Sequence, residues 1–534
     1  MSRVQRLLVF TLGLLCCALS TRAMSGAELE RGAAITEPFA LRELDHGRFG
    51  LGRVLVPARS TDAPLTNGEL FALPSMAPVR KALNGEYESY VARHKAALPN
   101  EKIGVGPSFD LQMFDDALIA SPDTRFVLSG IVNRMDRTYV AAANCGEVRL
   151  IYRLTRLTPP AAVPGDELPS ARLPMTLNVV LKAKADAAAD GNGQLLTCAD
   201  IAGRWLAAGD LSVTGAELAA RLTAKDGPLD LIRPDNIHRI ETNLQIAHLP
   251  KSAVHEFRTD YLMNVFDYDP ASRAFQLSPL ENQVDRARLL ADDNLRRDFR
   301  DWLLDPVHFR ELDRGTILIP DRFLATSAIA ATPVGFSPSD LQPAFGLVQG
   351  DASIAKSSDK PAFEESDIVT ALQKAAADGP PLENIRSVAG FERRLNDASC
   401  SGCHQNRGIG GFHFPGVDWM AEKPSNETIV PASPHFFGDQ VRRRDILIAL
   451  RDGKQPDFSR GFASRPQLRG STELAGTSYL DGWGAHCYAQ RANADDNDRS
   501  FRAWTCAEGL ACQTGPATRM GMCFIRSPRD AKAN

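Results

Sequence analysis

The chain has 534 residues, 24% of them charged and 44% hydrophobic, which is ordinary for a globular protein and enough for about three domains with buried cores. The formal net charge of −4 is small for this length. It argues against nucleic acid or an anionic membrane as a partner, because such partners select strongly basic surfaces.

The N-terminus has the pattern of a secretory signal peptide, which we place at residues 1–23. Arg3 and Arg6 form the basic region, Leu7 to Leu19 form the apolar region, and small residues close the segment at Ala23. No later stretch approaches the ~20 apolar residues that a membrane helix needs, so we expect no transmembrane segment after cleavage. The sequence therefore predicts an exported protein of the periplasm or the extracellular space.

Residues 24–104 are predicted to form a partly helical N-terminal region, because apolar residues recur at four-residue steps between 75 and 98. From 105 to 313 the hydrophobic period changes to two, which predicts a β-rich domain with a closing helix at 281–304. The strand candidates lie at 126–135, 148–154, 175–182 and 239–246. Strict alternation is typical of strands with one buried and one solvated face, so we expect an antiparallel sheet, either a sandwich or a helix-backed sheet.

Residues 314–365 are predicted to be a linker or extended connection, since Pro, Ser, Ala and Gly are frequent there. Three amphipathic helices are then predicted, at 366–379, 382–397 and 439–451. The chain contains no G-x-S-x-G, no H-E-x-x-H and no glycine-rich phosphate loop, so we assign no catalytic residue.

The sharpest chemical signal is the C-x-x-C-H pattern of Cys400, Cys403 and His404. Two thiols at this spacing can each add to one vinyl group of a haem, and the next imidazole can then bind the iron. The same thiols could instead form a disulfide or a redox dithiol, or bind zinc with His413 and either His404 or His435. The export signal favours haem, because attachment of this kind takes place outside the cytoplasm.

The arrangement around this pattern resembles the c-type cytochrome family, in which an amphipathic helix delivers C-x-x-C-H and a Gly-rich segment then turns around the haem. The resemblance covers about 366–455 and is specific only in the motif. It implies an all-α cytochrome-c-like module over 366–483 with one haem c, in which Cys400 and Cys403 are the thioether anchors and His404 is the proximal ligand.

The motif does not determine the distal ligand of the iron. Cytochromes c that transfer electrons usually place a methionine several dozen residues downstream, where this chain has none between Met420 and Met520. Met420, His413 and His435 are therefore the candidates, and an open sixth position would permit peroxide or small-ligand chemistry. His413 could also be a packed polar residue or a zinc ligand.

Eight cysteines remain after signal cleavage, and two of them belong to the motif. We expect the other six to form disulfides, because such cross-links stabilise exported proteins. These six are Cys145, Cys198, Cys487, Cys506, Cys512 and Cys523. Cys145 and Cys198 should pair with each other, with a catalytic thiol as the alternative. Residues 484–534 should form a small disulfide-rich tail, in which we favour Cys487–Cys512 with Cys506–Cys523 among three connectivities.

The overall prediction is a multidomain α+β protein: an antiparallel β-rich middle domain, an all-α cytochrome-c-like module and a small disulfide-rich tail. The function that the resemblance implies is electron transfer or haem-dependent redox chemistry, with an unidentified redox partner protein. The alternative is a secreted binding or structural protein in which Cys400 and Cys403 form a disulfide or a zinc site.

Overall fold

The computed structural model describes residues 34–59, 63–97, 99–157, 171–184, 189, 193–249, 258–332, 362–400, 417–420, 434–460, 486–489, 505–506, 510–514 and 520–525. Within these residues the fold is mixed α and β, with one large and mostly antiparallel sheet. This part of the predicted fold class is confirmed.

Ten strands form the large sheet. They are β1 Ala34–Ile35, β2 Ile103–Val105, β3 Leu111–Met113, β4 Thr124–Arg134, β5 Glu147–Arg156, β6 Arg172–Lys182, β7 Ile237–Leu249, β8 Arg258–Asp269, β9 Ala274–Ser278 and β10 Ser327–Thr332. Strands β1, β4, β5, β6, β7 and β8 lie side by side in antiparallel pairs, and β9 and β10 share the far edge of β8. Strand β3 pairs with the end of β7, and β2 joins β3 in parallel.

Twelve α-helices occur in the described residues. They are α1 Pro38–His46, α2 Leu51–Leu55, α3 Asn67–Ala72, α4 Ala77–Ala97, α5 Cys198–Ala208, α6 Gly215–Thr223, α7 Arg286–Ala291, α8 Asp293–Leu303, α9 Pro306–Arg314, α10 Glu365–Ala377, α11 Val388–Ala398 and α12 Pro434–Arg451. No helix among those described combines the length and the apolarity that crossing a bilayer requires.

The first hydrophobic core lies on one face of the large sheet. It contains the apolar residues whose alternation predicts β5, β6 and β7, among them Leu150, Leu177 and Leu244, all at most 1% exposed. Helices α1, α4, α5 and α6 contribute to the same core, including the fully buried Trp205 of α5. Burial of these side chains supplies the main driving force for folding of the sheet.

The second core is made by helices and is rich in phenylalanine. Phe309 of α9 stacks on Phe391 of α11 with ring centroids 5.5 Å apart, and Phe299 of α8 lies 5.8 Å from Phe363. The core joins residues 284–324 with residues 362–398. The two helices that precede Cys400 therefore pack on helices that we predicted to belong to the β-rich domain.

Two predicted elements differ from the structure. Residues 327–332, predicted as part of a linker, form β10 and pair with β8 over six residues. The predicted closing helix at 281–304 is two helices, because Asp292 ends α7 and caps α8 by accepting hydrogen bonds from the amides of Asn294 and Leu295.

The second face of the sheet is buried, not solvated as the alternation predicted. Glu147, Arg149 and Glu241 on this face are 3–4% exposed. Each of these side chains pairs with an opposite charge, which offsets the cost of removing it from water. This polar, buried face carries the candidate site.

Two disulfides join described cysteines. Cys145 is bonded to Cys198, with Cα atoms 5.2 Å apart, and Cys487 is bonded to Cys512. In the tail, β11 His486–Tyr488, β12 Leu510–Thr514 and β13 Met520–Ile525 form a small sheet in the order β11-β13-β12. Cys506 is also in a disulfide. Cys523 lies on β13, but its side chain is outside the described part, so its pairing with Cys506 stays a prediction.

Candidate functional site: the cavity beside Cys400

Helix α11 positions Cys400. The hydroxyl of Ser387 caps the start of the helix by accepting from the Gly390 amide at 2.9 Å, and Phe391 and Leu395 anchor it in the second core. Cys400 follows two residues after the end of α11 and is 4% exposed. Its thiol donates to the backbone carbonyl of Glu281, with Sγ 3.5 Å from the oxygen.

Cys400 packs against strands β8 and β10 of the large sheet. It belongs to a small apolar cluster with Met263 and Val265 of β8 and with Ala328 and Ala330 of β10. The strand that we predicted as a linker is therefore one of the surfaces that hold Cys400.

A cavity of about 290 Å³ opens beside Cys400. Val265, Leu318 and Leu324 are apolar members of its lining, with Leu318 39% exposed. Charged side chains line it as well, and one of them, Glu241, lies beside Val265 on the neighbouring strand. Pockets for small molecules begin at about this volume and combine apolar walls with a few placed polar groups in the same way.

Five of the charged residues that line the cavity are joined through the buried Glu147 into a network of ion pairs, which we call the Arg–Glu lattice; Asp267 and Asp321 also line the cavity but are not part of this network. The members of the Arg–Glu lattice are Arg137, Arg149, Arg239, Glu147, Glu241 and Glu281. The sheet register brings four of them together: Arg149 and Arg239 both lie opposite Val180, and Glu147 and Glu241 lie two residues away on the same strands.

Glu147 is the centre of the Arg–Glu lattice. Its carboxylate contacts Arg239 Nη2 at 2.9 Å, Arg149 Nη2 at 3.0 Å and Arg137 Nε at 3.3 Å. Glu241 bridges Arg149 and Arg239, each at 3.1 Å. The carboxylate of Glu281 accepts hydrogen bonds from both terminal nitrogens of Arg137, one of them at 3.0 Å. Three positive and three negative groups balance, so the lattice adds no net charge to the cavity.

The electrostatic environment keeps Glu147 and Glu281 ionised. Burial raises the pKa of Glu147, but Arg239, Arg137 and Arg149 outweigh it and hold that pKa well below the usual value. Burial acts in the same way on Glu281, and Arg137 again prevails and lowers the pKa of Glu281 to about 2. Burial and the nearby Arg239 lower the pKa of His238 at the rim, so this imidazole is neutral at pH 7.

The structure describes only part of the predicted haem site. Cys403, His404 and His413 lie outside the described residues. His435 lies in the first turn of α12, and its side chain is not described. The assignments of His404 as proximal ligand and of His413 or His435 as distal ligand therefore stay predictions, as does the zinc set.

Met420, the third candidate for the distal ligand, lies in a short described segment beside β4. The preceding residue, Trp419, donates its indole N–H to the carbonyl of Leu128 on β4 at 2.8 Å. The role of Met420 as an iron ligand stays a prediction.

A second buried charge cluster adjoins the lattice. Asp136, which is 2% exposed, accepts from Arg134 Nε at 2.8 Å and from Arg442 Nη2 at 2.9 Å. Asp439 accepts from Arg442 and from Arg443, at 2.6 Å and 2.8 Å. The cluster attaches α12 to the end of β4. The Arg442-Arg443-Arg444 run is thus not simply a solvated helix face.

Three tail cysteines come close enough together to suggest a metal site. The sulfur atoms of Cys487, Cys506 and Cys512 lie within 4.8 Å of one another. All three are in disulfides, and a disulfide sulfur lacks the thiolate charge that zinc binding requires. The proximity of these sulfurs reflects covalent pairing.

The sequence predicts Cys400 as a site residue through the C-x-x-C-H pattern, but none of the members of the Arg–Glu lattice was predicted to be one. The charged residues were visible in Asn133-Arg134-Met135-Asp136-Arg137 and in Cys145-Gly146-Glu147-Val148-Arg149. We interpreted the charges of the strands as solvent-facing. The signal that could have identified them is the presence of both signs on one face of neighbouring strands, since a solvated face does not need that match.

Comparison of the chain with protein-family models, with curated proteins and with solved structures found no match.

Proposed function

We propose that this chain is an exported haem protein with one covalently bound haem c, which serves in electron transfer or in haem-dependent redox chemistry with a redox partner protein. The observation that carries the proposal is the location of Cys400. The first cysteine of C-x-x-C-H lies at the end of an amphipathic helix, in the wall of a cavity.

The described residues suit one side of a haem. Val265, Leu318 and Leu324 offer an apolar wall next to Cys400, as the edge of a porphyrin requires. Cys400 supplies a sulfur for one thioether, and Cys403 and His404 would supply the second thioether and the proximal imidazole. When bound, haem would supply an iron centre that accepts and returns one electron. Because the Arg–Glu lattice is already balanced in charge, we assign no haem propionate to it.

Spectroscopy of the exported protein tests this proposal. Protein produced in a host with haem-attachment machinery should be red, and its haem should stay attached after denaturation. Cys400→Ala combined with Cys403→Ala should abolish covalent haem, and His404→Ala should alter the iron spectrum. Ser278→Ala is the matched control, because Ser278 lines the same cavity without being part of the motif.

The runner-up is a secreted binding or structural protein, with Cys400 and Cys403 in a disulfide or a zinc site. The cavity itself supports it, since a volume of about 290 Å³ with polar and apolar walls suits a small ligand without any cofactor. A colourless wild-type protein would favour this alternative. Peptide mass spectrometry would then identify a Cys400–Cys403 disulfide, and elemental analysis would detect zinc.

A further inference from the structure

Arg137 connects the sheet to the segment that touches Cys400. It follows the end of β4, and its side chain is only 3% exposed. Both of its terminal nitrogens donate to the two carboxylate oxygens of Glu281, one of them at 3.0 Å. A two-point contact between a planar guanidinium and a carboxylate fixes orientation as well as distance.

Arg137 is itself held by the sheet. Its Nε lies 3.3 Å from Glu147, which is anchored by Arg149 and Arg239. Those two guanidiniums already compensate the charge of Glu147. Arg137 adds to this compensation, and it is the arginine that forms the ion pair with Glu281, whose pKa Arg239 also lowers.

Glu281 contacts Cys400 through its backbone. The Cys400 thiol donates to the backbone carbonyl of Glu281, and the side-chain carboxylate of the same Glu281 accepts hydrogen bonds from Arg137. Both neighbours of Glu281 are held by the chain around 317–325: the Leu280 amide donates to the Ala325 carbonyl at 2.8 Å, and the side chain of Asn282 bonds to the backbone of Ile317 and Ile319. The Arg137 contact adds a side-chain restraint at Glu281 itself, between these two anchors.

From this chain of contacts we infer that Arg137 is a positioning residue, which acts through Glu281 to hold Cys400 in place for thioether formation. The inference rests on the proposed function. In that reaction the sulfur forms an S–C bond to a vinyl carbon, the S–H bond and the vinyl π bond break, and the hydrogen goes to the other vinyl carbon. The addition needs no oxidant or reductant.

The first test uses haem-free protein and measures how fast iodoacetamide alkylates Cys400 under native, mildly reducing conditions, with the peptide identified by mass spectrometry. Arg137→Gln should raise the rate about tenfold, because the local opening that exposes the thiol becomes easier. Arg137→Lys should raise it less, since a lysine can contact only one carboxylate oxygen at a time. An unchanged rate in Arg137→Gln would overturn the inference.

Arg125→Gln is the matched control. Arg125 is 7% exposed and pairs with buried Asp45 at 3.3 Å, so its loss also removes the charge of a buried arginine, but away from Cys400. This variant should leave Cys400 as protected as in the wild type. Equal acceleration in both arginine variants would show a general loss of stability and contradict a positioning role. Glu281→Gln keeps the shape of the side chain and serves as a second variant if Arg137→Gln does not fold.

The second test uses protein exported from a host with haem-attachment machinery. Digestion followed by mass spectrometry measures how much haem is bonded to both cysteines and how much to Cys403 alone. Arg137→Gln should shift the distribution at least several-fold towards Cys403 alone. A wild type without haem would refute the proposed function, while the alkylation test would still decide whether Arg137 positions Cys400. A haem-loaded Arg137→Gln with both bonds formed as in the wild type would overturn the inference.

Discussion

The buried carboxylate of Asp136 shows how much this fold depends on single charged residues. Guanidinium groups of Arg134, Arg442 and Arg460 converge on it from separate parts of the chain, at 2.8, 2.9 and 3.4 Å. Burial raises the pKa of Asp136, but the surrounding arginines outweigh burial and hold that pKa well below the usual value. Asp136 is therefore ionised at neutral pH and compensates several cations that are out of contact with water.

We predict that Asp136→Asn lowers the free energy of unfolding at pH 7 by about 3–5 kcal/mol, because it leaves buried guanidiniums without their counter-charge. Urea unfolding followed by circular dichroism measures this change. Asp452→Asn is the control, since Asp452 also pairs with an arginine, Arg451 at 2.8 Å, but on the surface, where water screens the pair. The control should unfold at the wild-type urea concentration. A wild-type midpoint for Asp136→Asn would contradict the compensating role of this carboxylate.

The acid stability of the protein should depend in part on Glu281. Desolvation raises its pKa, but Arg137 outweighs desolvation and lowers it to about 2, below the ordinary 4.5. The Glu281 side chain is 42% exposed, so solvent screens part of this interaction. A carboxyl whose pKa falls on folding stabilises the protein fully above its unfolded pKa and loses this contribution as the pH decreases towards the folded value. We therefore expect the urea midpoint of the wild type to fall more steeply between pH 4.5 and 2 than that of Glu281→Gln. Parallel curves would show that Glu281 is not linked to folding.

At the scale of elements, the disulfide between Cys145 and Cys198 connects the turn before β5 to the first residue of α5. It closes a loop of 53 residues, which corresponds to about 4 kcal/mol in the chain-entropy account of disulfides. We predict that Cys145→Ser with Cys198→Ser lowers the free energy of unfolding by about this amount, measured in guanidinium chloride under oxidising conditions.

The matched control for this disulfide is Cys487→Ser with Cys512→Ser, which removes the cross-link of the tail sheet. The tail sheet pairs only with itself among the described strands, so unfolding of the large sheet should keep its midpoint. If both double variants lowered the unfolding midpoint of the large sheet equally, the Cys145–Cys198 disulfide would not stabilise that sheet more than the tail disulfide does.

The sequence predicted the elements whose side chains alternate or recur strongly. The apolar alternation that includes Val148, Leu177 and Ile240 predicted strands β5 to β7, because one face of each strand lies in a hydrophobic core. Strand β10 was missed because alanines dominate it, and alanine has low strand propensity. What makes this segment a strand is backbone pairing with β8, a long-range contact that the local sequence does not show.

Only the cysteine and histidine motif of the candidate site could be predicted from the sequence. The spacing of Cys400, Cys403 and His404 is a local property of the chain, so it can be recognised in the sequence. The Arg–Glu lattice is not local: Arg137 and Glu281 are 144 positions apart. Period-two alternation looks the same for a solvated polar face and for a buried, charge-paired one, so only the tertiary structure distinguishes them.

At the scale of the whole molecule, the helices on either side of the motif pack into different cores: α10 and α11 into the second core, and α12 into the first. Helices α10 and α11 bury Ile368, Phe391 and Leu395 against α8 and α9. Helix α12 places Leu447 in the core of the large sheet, and its Arg442 reaches Asp136 at the end of β4. The apolar surface of the three helices is thus covered by parts of the chain that precede residue 325, together with Phe363, which contacts Phe391 with ring centroids 5.4 Å apart.

We therefore predict that the fragment 366–483 does not fold alone. Without α8 and α9, Phe391 and Leu395 would face water, and without the sheet the guanidinium of Arg442 would lose Asp136. The isolated fragment should show narrow amide dispersion in NMR and no cooperative urea transition. The fragment 280–400, which contains every member of the second core, is the control and should remain helical with a cooperative transition. A cooperative transition in 366–483 would mean that its three helices can bury their apolar faces against one another, as an independent cytochrome-like module requires.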